Sequence, residues 1–101
     1  MTCEIEKRDG RIYIRGEMTI YGAAALKDDL FGALEAEPEG CALDLAGVSE
    51  FDTTGLQVLL MARKICLSRG GSFSLANPSI AVRETLDLLR GHNLPLEEAA
   101  V

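Results

Sequence analysis

Residues 43–60 read LDLAGVSEFDTTGLQVLL and hold the pattern that decides the fold. The segment from Cys41 to Ala46 is apolar except for Asp44, which is typical of a strand buried on both faces and indicates the centre of a sheet. A helix from about Thr54 to Ser68 is predicted next, so the polar sequence Asp52-Thr53-Thr54-Gly55 joins the strand to the helix. Functional groups of such sheets collect where loops leave the carboxyl ends of strands.

The residues before this segment predict a hairpin and a helix. Residues Cys3–Lys7 and Arg11–Arg15 alternate in polarity, and Asp9-Gly10 between them suits a tight turn because glycine readily takes a positive φ. From Ala23 to Leu34 the apolar residues recur at helical spacing. The segment Glu37-Pro38-Glu39-Gly40 then closes this helix.

The residues after the segment predict one more strand and one more helix. Gly70-Gly71 ends the central helix, and Ser72–Ala76 indicates a strand through Phe73 and Leu75. Either Asn77 or Ser79 caps a last helix that ends at Gly91, and a short edge strand is expected at 94–96. This order predicts an α/β fold, in which helices cover the sheet and right-handed crossovers join its parallel strands.

The predicted central helix carries more apolar surface than one core-facing side needs. One stripe comprises Val58, Met61, Ala62 and Ile65, and the other comprises Leu56, Leu59, Leu60 and Leu67. A helix with two such stripes exceeds the usual amphipathic pattern. Part of this helix is therefore expected to form a docking surface.

Length and charge restrict the class of protein. The chain of 101 residues, 48% hydrophobic, is expected to form one domain over residues 1–101. The formal net charge is −6, from 16 acidic and 10 basic residues, which disfavours a nucleic-acid or anionic-membrane surface. The longest wholly apolar run, Val58 to Ala62, is far shorter than the roughly 18–20 residues that span a bilayer, and no signal peptide is recognised.

The cysteines and the histidine indicate no metal, cofactor or disulfide framework. Cys3, Cys41 and Cys66 are an odd number at wide spacings, and His92 is the only histidine. Cys41 and Cys66 lie in apolar segments and are interpreted as buried reduced thiols, which places the protein in the cytoplasm. No nucleophile lies beside a base and no phosphate-binding glycine loop is present, so we predict no catalytic residues and no enzyme activity.

The segment from Leu43 to Leu60 resembles the signature of STAS domains, in which D-L-x-G-V leads through a loop to D-[ST]-[ST/A]-G-L at a helix start. The order of elements on both sides agrees with the same family. The resemblance implies a mixed four- to five-stranded sheet with helices packed mainly on one face. It also implies a Ser or Thr in the loop that a partner kinase phosphorylates. In the anti-sigma-factor antagonists of the family, the unphosphorylated form binds the anti-sigma kinase and frees the sigma factor.

Local chemistry supports a phosphoswitch at Thr53 and Thr54. Both hydroxyls lie at a helix N-terminus, where Asp52 or Thr53 can cap the first amides and Gly55 leaves the approach open. Phosphorylation adds about −1.5 to −2 charge near the positive end of the helix dipole, so the fold should tolerate it while a partner surface would not. The alternative is that the Asp-Thr-Thr-Gly sequence is only a capped loop.

The resemblance leaves open which threonine is modified. In members of the sigma pathway the phosphorylated residue directly precedes the glycine, which corresponds to Thr54. Members that serve lipid-transport ABC systems, and many encoded beside chemotaxis genes, carry D-T-A-G, which corresponds to Thr53. Thr19 stands where the sigma-pathway members carry an aspartate at the partner surface. The sequence around Thr19 looks more like that of the chemotaxis-linked proteins, and the alternative role of Thr19 is a helix N-cap.

The resemblance therefore implies a phosphorylation-switched binding module for an anti-sigma factor, a serine kinase or a histidine-kinase-like regulator. Partner contact is predicted at Thr19, Asp52, Thr53, Thr54, Gly55 and Leu56. The alternatives are an accessory subunit of an ABC-type lipid transporter or a chemotaxis-linked regulator. No nucleic acid, cofactor or membrane insertion is expected, and the protein is expected to be a monomer or a weak dimer. Asp44 is interpreted as a hydrogen-bonded structural carboxylate rather than a metal or loop-orienting group.

Overall fold

The computed structural model describes residues 3–37 and 40–88, and these residues form four strands and three helices. In chain order the elements are β1 (Cys3–Arg8), β2 (Arg11–Met18), α1 (Ala23–Glu35), β3 (Gly40–Phe51), α2 (Thr53–Ser68), β4 (Ser72–Ala76) and α3 (Ile80–Leu88). The predicted order of elements is confirmed. The predicted helix end at Gly91, the edge strand at 94–96 and His92 lie outside the described residues.

The first two strands form the predicted hairpin. Asp9 and Gly10 have φ values of 53° and 76°, as a two-residue turn with both central residues in the left-handed region requires. This turn matches the right-handed twist of the strands and sets the register in which Ile5 pairs with Ile14. The hairpin therefore fixes which face of β2 enters the core.

The sheet is mixed, with the strand order β1-β2-β3-β4. β1 and β2 are antiparallel, whereas β2 and β3, and likewise β3 and β4, are parallel. The helices α1 and α2 are the crossovers between the parallel pairs. Because both helices return from the carboxyl ends of the strands, their N-termini lie at the same edge of the sheet. The predicted mixed sheet, with β3 in its interior, is confirmed.

The core lies between the sheet and the pair α1 and α2. Side chains of one sheet face are buried, and they are Cys3, Ile12, Ile14, Cys41, Leu43, Leu45, Phe73 and Leu75. The opposite face of the hairpin carries charged residues, and there Arg15 pairs with Glu4 and Glu6 at 3.4 and 3.6 Å. This alternation of apolar and polar faces explains why two helices pack on one side of the sheet.

The central strands are longer than predicted. β2 continues past Arg15 to Met18, and β3 continues past Ala46 to Phe51, with register shifts between the two strands. The predicted ends were wrong because Gly16, Gly47 and the polar residues after it interrupt the alternation of apolar residues. The extension carries Phe51 to the edge of the sheet, directly before Asp52.

A buried hydrogen-bond network joins β3 to the start of α3. Asp44, only 6% exposed, accepts hydrogen bonds from the Ala46 amide at 3.0 Å and from Asn77 Nδ2 at 2.7 Å. Arg11 Nη1 lies 3.7 Å from the same carboxylate. The prediction that Asp44 is a structural carboxylate is confirmed. Ser79, not Asn77, caps α3, because its Oγ accepts the Val82 amide at 3.3 Å.

All three cysteines are free and buried. The pKa of the Cys41 thiol is raised to about 12, first by burial and then by the neighbouring Cys66 thiol. Burial also raises the pKa of Cys3 to about 11, with smaller effects from Glu17 and Glu4. The thiols of Cys3 and Cys41 are therefore protonated at neutral pH. The predicted burial of Cys41 and Cys66 is confirmed. No helix within the described ranges has the length and apolar character needed to cross a bilayer.

Candidate functional site

Asp52 organises the turn between β3 and α2. Its Oδ1 accepts the amides of Thr54 at 2.9 Å and Gly55 at 3.3 Å, so Asp52 is the N-cap of α2. Its Oδ2 accepts the Ile20 amide at 3.3 Å, which ties the segment between β2 and α1 to the same carboxylate. One side chain thus holds together the two segments that leave the carboxyl ends of the central strands.

Gly55 allows α2 to approach the end of β2 closely. A Cβ atom at this position would lie 2.4 Å from the Met18 carbonyl oxygen and 2.8 Å from Cε1 of Phe51. The Asp52 amide also donates to the Met18 carbonyl, at 3.4 Å. Gly55 is buried, so the structure gives it a packing function that sequence reasoning did not identify.

The two threonines differ in their surroundings. Thr53, at the first position of α2, is exposed, whereas Thr54 is half-buried. Thr54 lines a groove between α1 and α2 and Thr53 does not. Leu56 is half-buried and packs against the core. The structure brings Asp52, both threonines, Gly55 and Leu56 together at one edge of the sheet, as their adjacency in sequence requires.

Thr19 lies beside this edge but is buried, with 8% of its surface exposed. The alternative interpretation of Thr19 as a helix N-cap was wrong, because α1 begins at Ala23 with Gly22 as its N-cap. Its Oγ1 instead accepts the Tyr21 amide at 3.3 Å, two residues later. Thr19 therefore shapes the turn that presents Ile20 and Tyr21.

An exposed apolar surface adjoins the threonines, and sequence reasoning identified it only in part. Ile20 is 67% exposed and Tyr21 is 84% exposed, in the turn that Asp52 holds. Leu60 and Met61 on α2 are each 43% exposed, whereas Leu59 is fully buried. The predicted surplus of apolar residues on α2 is confirmed. The sequence signal that could have identified Ile20 and Tyr21 is a pair of bulky apolar residues that fits neither the strand pattern before it nor the helix pattern after it.

The groove between α1 and α2 has a volume of about 220 Å³. Its lining residues are Ile20, Ala23, Ala24, Lys27, Thr54, Gln57, Val58 and Met61. The groove is apolar except for Lys27, Thr54 and Gln57, and Thr54 lies at the end where α2 begins. Within residues 3–37 and 40–88, no group of three or more potential metal ligands is present. The groove is thus a mostly apolar recess that opens beside Thr54.

A protein-family model described as "Mlab, STAS domain" matches residues 1–96. The chain belongs to the STAS domain family. The predicted resemblance is confirmed, and with it the STAS fold of the four-stranded sheet and three helices. No curated protein sequence matches the chain.

Solved structures with the same fold include several anti-sigma-factor antagonists. One from Mycobacterium paratuberculosis superposes with a TM-score of 0.76 at 22% identity, covering 95% of this chain and 84% of that one. A STAS protein from Planctomyces limnophilus gives 0.72 at 17% identity, covering 95% and 89%. The phosphorylated form of the Bacillus cell fate determinant SpoIIAA gives 0.66 at 16% identity, covering 94% and 88%. This STAS domain thus resembles anti-sigma-factor antagonists in fold.

Proposed function

We propose that this STAS domain is a non-enzymatic, phosphorylation-switched binding module of the anti-sigma-factor-antagonist type. Its unphosphorylated form binds a regulatory kinase in the bacterial cytoplasm, and phosphorylation of Thr54 or Thr53 releases it. The domain comprises residues 1–101 and acts as a monomer or weak dimer. The observation that carries the proposal is the position of Thr54, at a helix start and beside an exposed apolar groove.

The geometry supports partner contact around the threonines. Ile20 and Met61 line the groove together with Thr54, and Tyr21 adjoins Ile20 in the chain. These apolar side chains are exposed, and exposed apolar surface of this kind favours a protein partner. Asp52 and Gly55 set the position of the threonines, while Thr19 supports the turn that carries Ile20. The proposed partner-binding region comprises Thr19, Asp52, Thr53, Thr54, Gly55 and Leu56. Within it, Thr53 and Thr54 make the direct contacts with the partner.

The helix N-terminus supports tolerance of a phosphoryl group by the fold. A phosphoryl group brings about −1.5 to −2 charge, and an anion near a helix N-terminus gains about 0.3–1 kcal/mol from the dipole. The neighbouring carboxylate of Asp52 opposes this gain. A partner that had buried the neutral hydroxyl would meet a bulky dianion instead, so phosphorylation acts on the complex more than on the domain.

The exposed side chain of Thr53 favours a second candidate function. In the family members that serve lipid-transport ABC systems, the functional threonine corresponds to Thr53. An accessory subunit docked on a transporter ATPase would use Thr53 as a contact residue, and a chemotaxis-linked regulator would use the same position. Co-purification with an ABC ATPase, lost on replacement of Thr53 but not of Thr54, would favour this candidate.

We expect a kinase encoded near this gene to phosphorylate the purified domain once, on Thr54 or Thr53. Candidate kinases are produced with the domain and incubated with Mg²⁺ and ATP, and intact-mass and fragment analysis locates the phosphoryl group. Thr54→Ala and Thr53→Ala identify the acceptor, since only one of them should abolish the modification. A kinase that binds the domain without modifying it, together with unmodified protein in its native host, would indicate a constitutive binder.

A further inference from the structure

Lys27 is the one charged side chain that lines the groove between α1 and α2. It is half-buried, and within residues 3–37 and 40–88 it forms no ion pair or hydrogen bond through its side chain. The basic residues of β1 and β2, by contrast, have acidic partners, for example Lys7 with Glu37 and Arg15 with Glu4. Lys27 thus supplies the mostly apolar groove with a positive charge, with which an anion in the groove can pair.

Thr54 lines the same groove from α2, opposite the helix that carries Lys27. We infer that the phosphoryl group on Thr54 occupies this groove and pairs with Lys27. The inference rests on the proposed phosphoswitch and names the site that the phosphoryl group would occupy. In the transfer itself, a kinase moves the γ-phosphoryl group of ATP to Oγ1 of Thr54, the hydroxyl proton leaves to a base of the kinase, and ADP departs.

This pairing explains how a modification of one hydroxyl would exclude a partner. The groove is open and mostly apolar when Thr54 is unmodified, so an apolar side chain of the partner can enter it. With the phosphoryl group in place, the groove is filled by an anion that Lys27 holds. A phosphoryl group on exposed Thr53 would extend into solvent and leave the groove open.

Lys27 and Asp52 act in opposite directions on a phosphoryl group at Thr54. Lys27 on α1 favours the dianion, and the Asp52 carboxylate before α2 opposes it. Among residues 3–37 and 40–88, Lys27 is the only charged residue that lines the groove, and Asp52 lies beside it at the start of α2. Because Asp52 is the same in all variants described below, the effect of replacing Lys27 reports the pairing itself.

The test is the second pKa of phosphothreonine, measured by ³¹P NMR on protein with phosphothreonine incorporated at position 54 during translation. An opposite charge nearby lowers the pKa of an acid, so Lys27→Met is expected to raise the phosphate pKa by about 0.5 unit or more from its value in the wild type. Lys27→Arg keeps the charge and should keep the lower pKa. Lys64→Met removes a charge about 15 Å further along α2 and should also leave the pKa unchanged.

Equal phosphate pKa values in the wild type, Lys27→Met and Lys64→Met would overturn the inference. The inference would also fail if Lys27→Met raised the phosphate pKa of phosphothreonine at position 53 as much as, or more than, at position 54. Circular dichroism of the unmodified variants establishes that each is folded, and Lys27→Gln replaces Lys27→Met if the latter is not. Because no kinase is needed, a failure of this pairing is distinguishable from the absence of a kinase for the domain.

Discussion

Gly55→Ala is expected to destabilise the domain by about 1–2 kcal/mol. Alanine is the better helix former by about 1 kcal/mol, but its Cβ would lie 2.4 Å from the Met18 carbonyl oxygen and 2.8 Å from the Phe51 ring. Overpacking against backbone costs about 1–3 kcal/mol and sometimes more, so the steric term exceeds the gain in propensity. Urea denaturation gives the free energy of unfolding.

Gly32→Ala is the matched control for this prediction. Gly32 lies in α1, and a Cβ atom there would have no neighbour within 4 Å. The same chemical change should stabilise the domain by up to about 1 kcal/mol, because only the helix propensity differs. If Gly55→Ala were as stable as Gly32→Ala, the close approach of α2 to β2 would not hold in solution.

Thr54→Glu is expected to leave the fold close to that of the wild type but to weaken partner binding at least tenfold, about 1.4 kcal/mol. The carboxylate gains about 0.3–1 kcal/mol from the helix dipole, and Asp52 offsets part of this gain. At an interface the same charge must lose water or face like charge, which can cost several kcal/mol. Thermal melts and titrations with the partner kinase measure the two effects separately.

Thr53→Glu is the matched control, since it places the same charge on the adjacent, exposed residue. Its effect on affinity should be smaller than that of Thr54→Glu, because Thr53 does not line the groove. If Thr53→Glu abolished binding while Thr54→Glu bound normally, the transporter-linked or chemotaxis-linked function would be favoured. If Thr54→Glu unfolded the domain, the Asp-Thr-Thr-Gly segment would be a structural cap only.

Local signals in the sequence were sufficient to predict the order of the elements and the capped turn at Asp52. Asp9-Gly10 predicted the hairpin turn, and Asp52 was recognised as a possible cap of α2, because both features depend on residues adjacent in the chain. The ends of β2 and β3 were missed because they depend on pairing between strands. Residues from Gly16 to Met18 form a strand because they pair with β3. The register shifts between the two strands leave no trace in the alternation of apolar and polar residues.

The groove could not be predicted for the same reason. Lys27 and Thr54 are distant in sequence, and they line one groove only because two parallel crossovers place α1 and α2 side by side at one edge of the sheet. Arg69 contributes to this arrangement, since its guanidinium donates to the Leu34 carbonyl at 3.1 Å, at the far end of both helices. Contacts of this kind depend on packing, and a single sequence carries no periodicity that reports them.

The affinity of the partner kinase for the unmodified and the Thr54-phosphorylated domain decides whether phosphorylation switches binding. Isothermal titration calorimetry with a non-hydrolysable ATP analogue prevents further phosphorylation during the measurement. Phosphorylation of Thr54 is expected to lower the affinity by at least tenfold, or about 1.4 kcal/mol, while the circular dichroism spectrum stays like that of the unmodified domain. Equal affinity of the two forms would contradict the claim that phosphorylation of Thr54 switches binding.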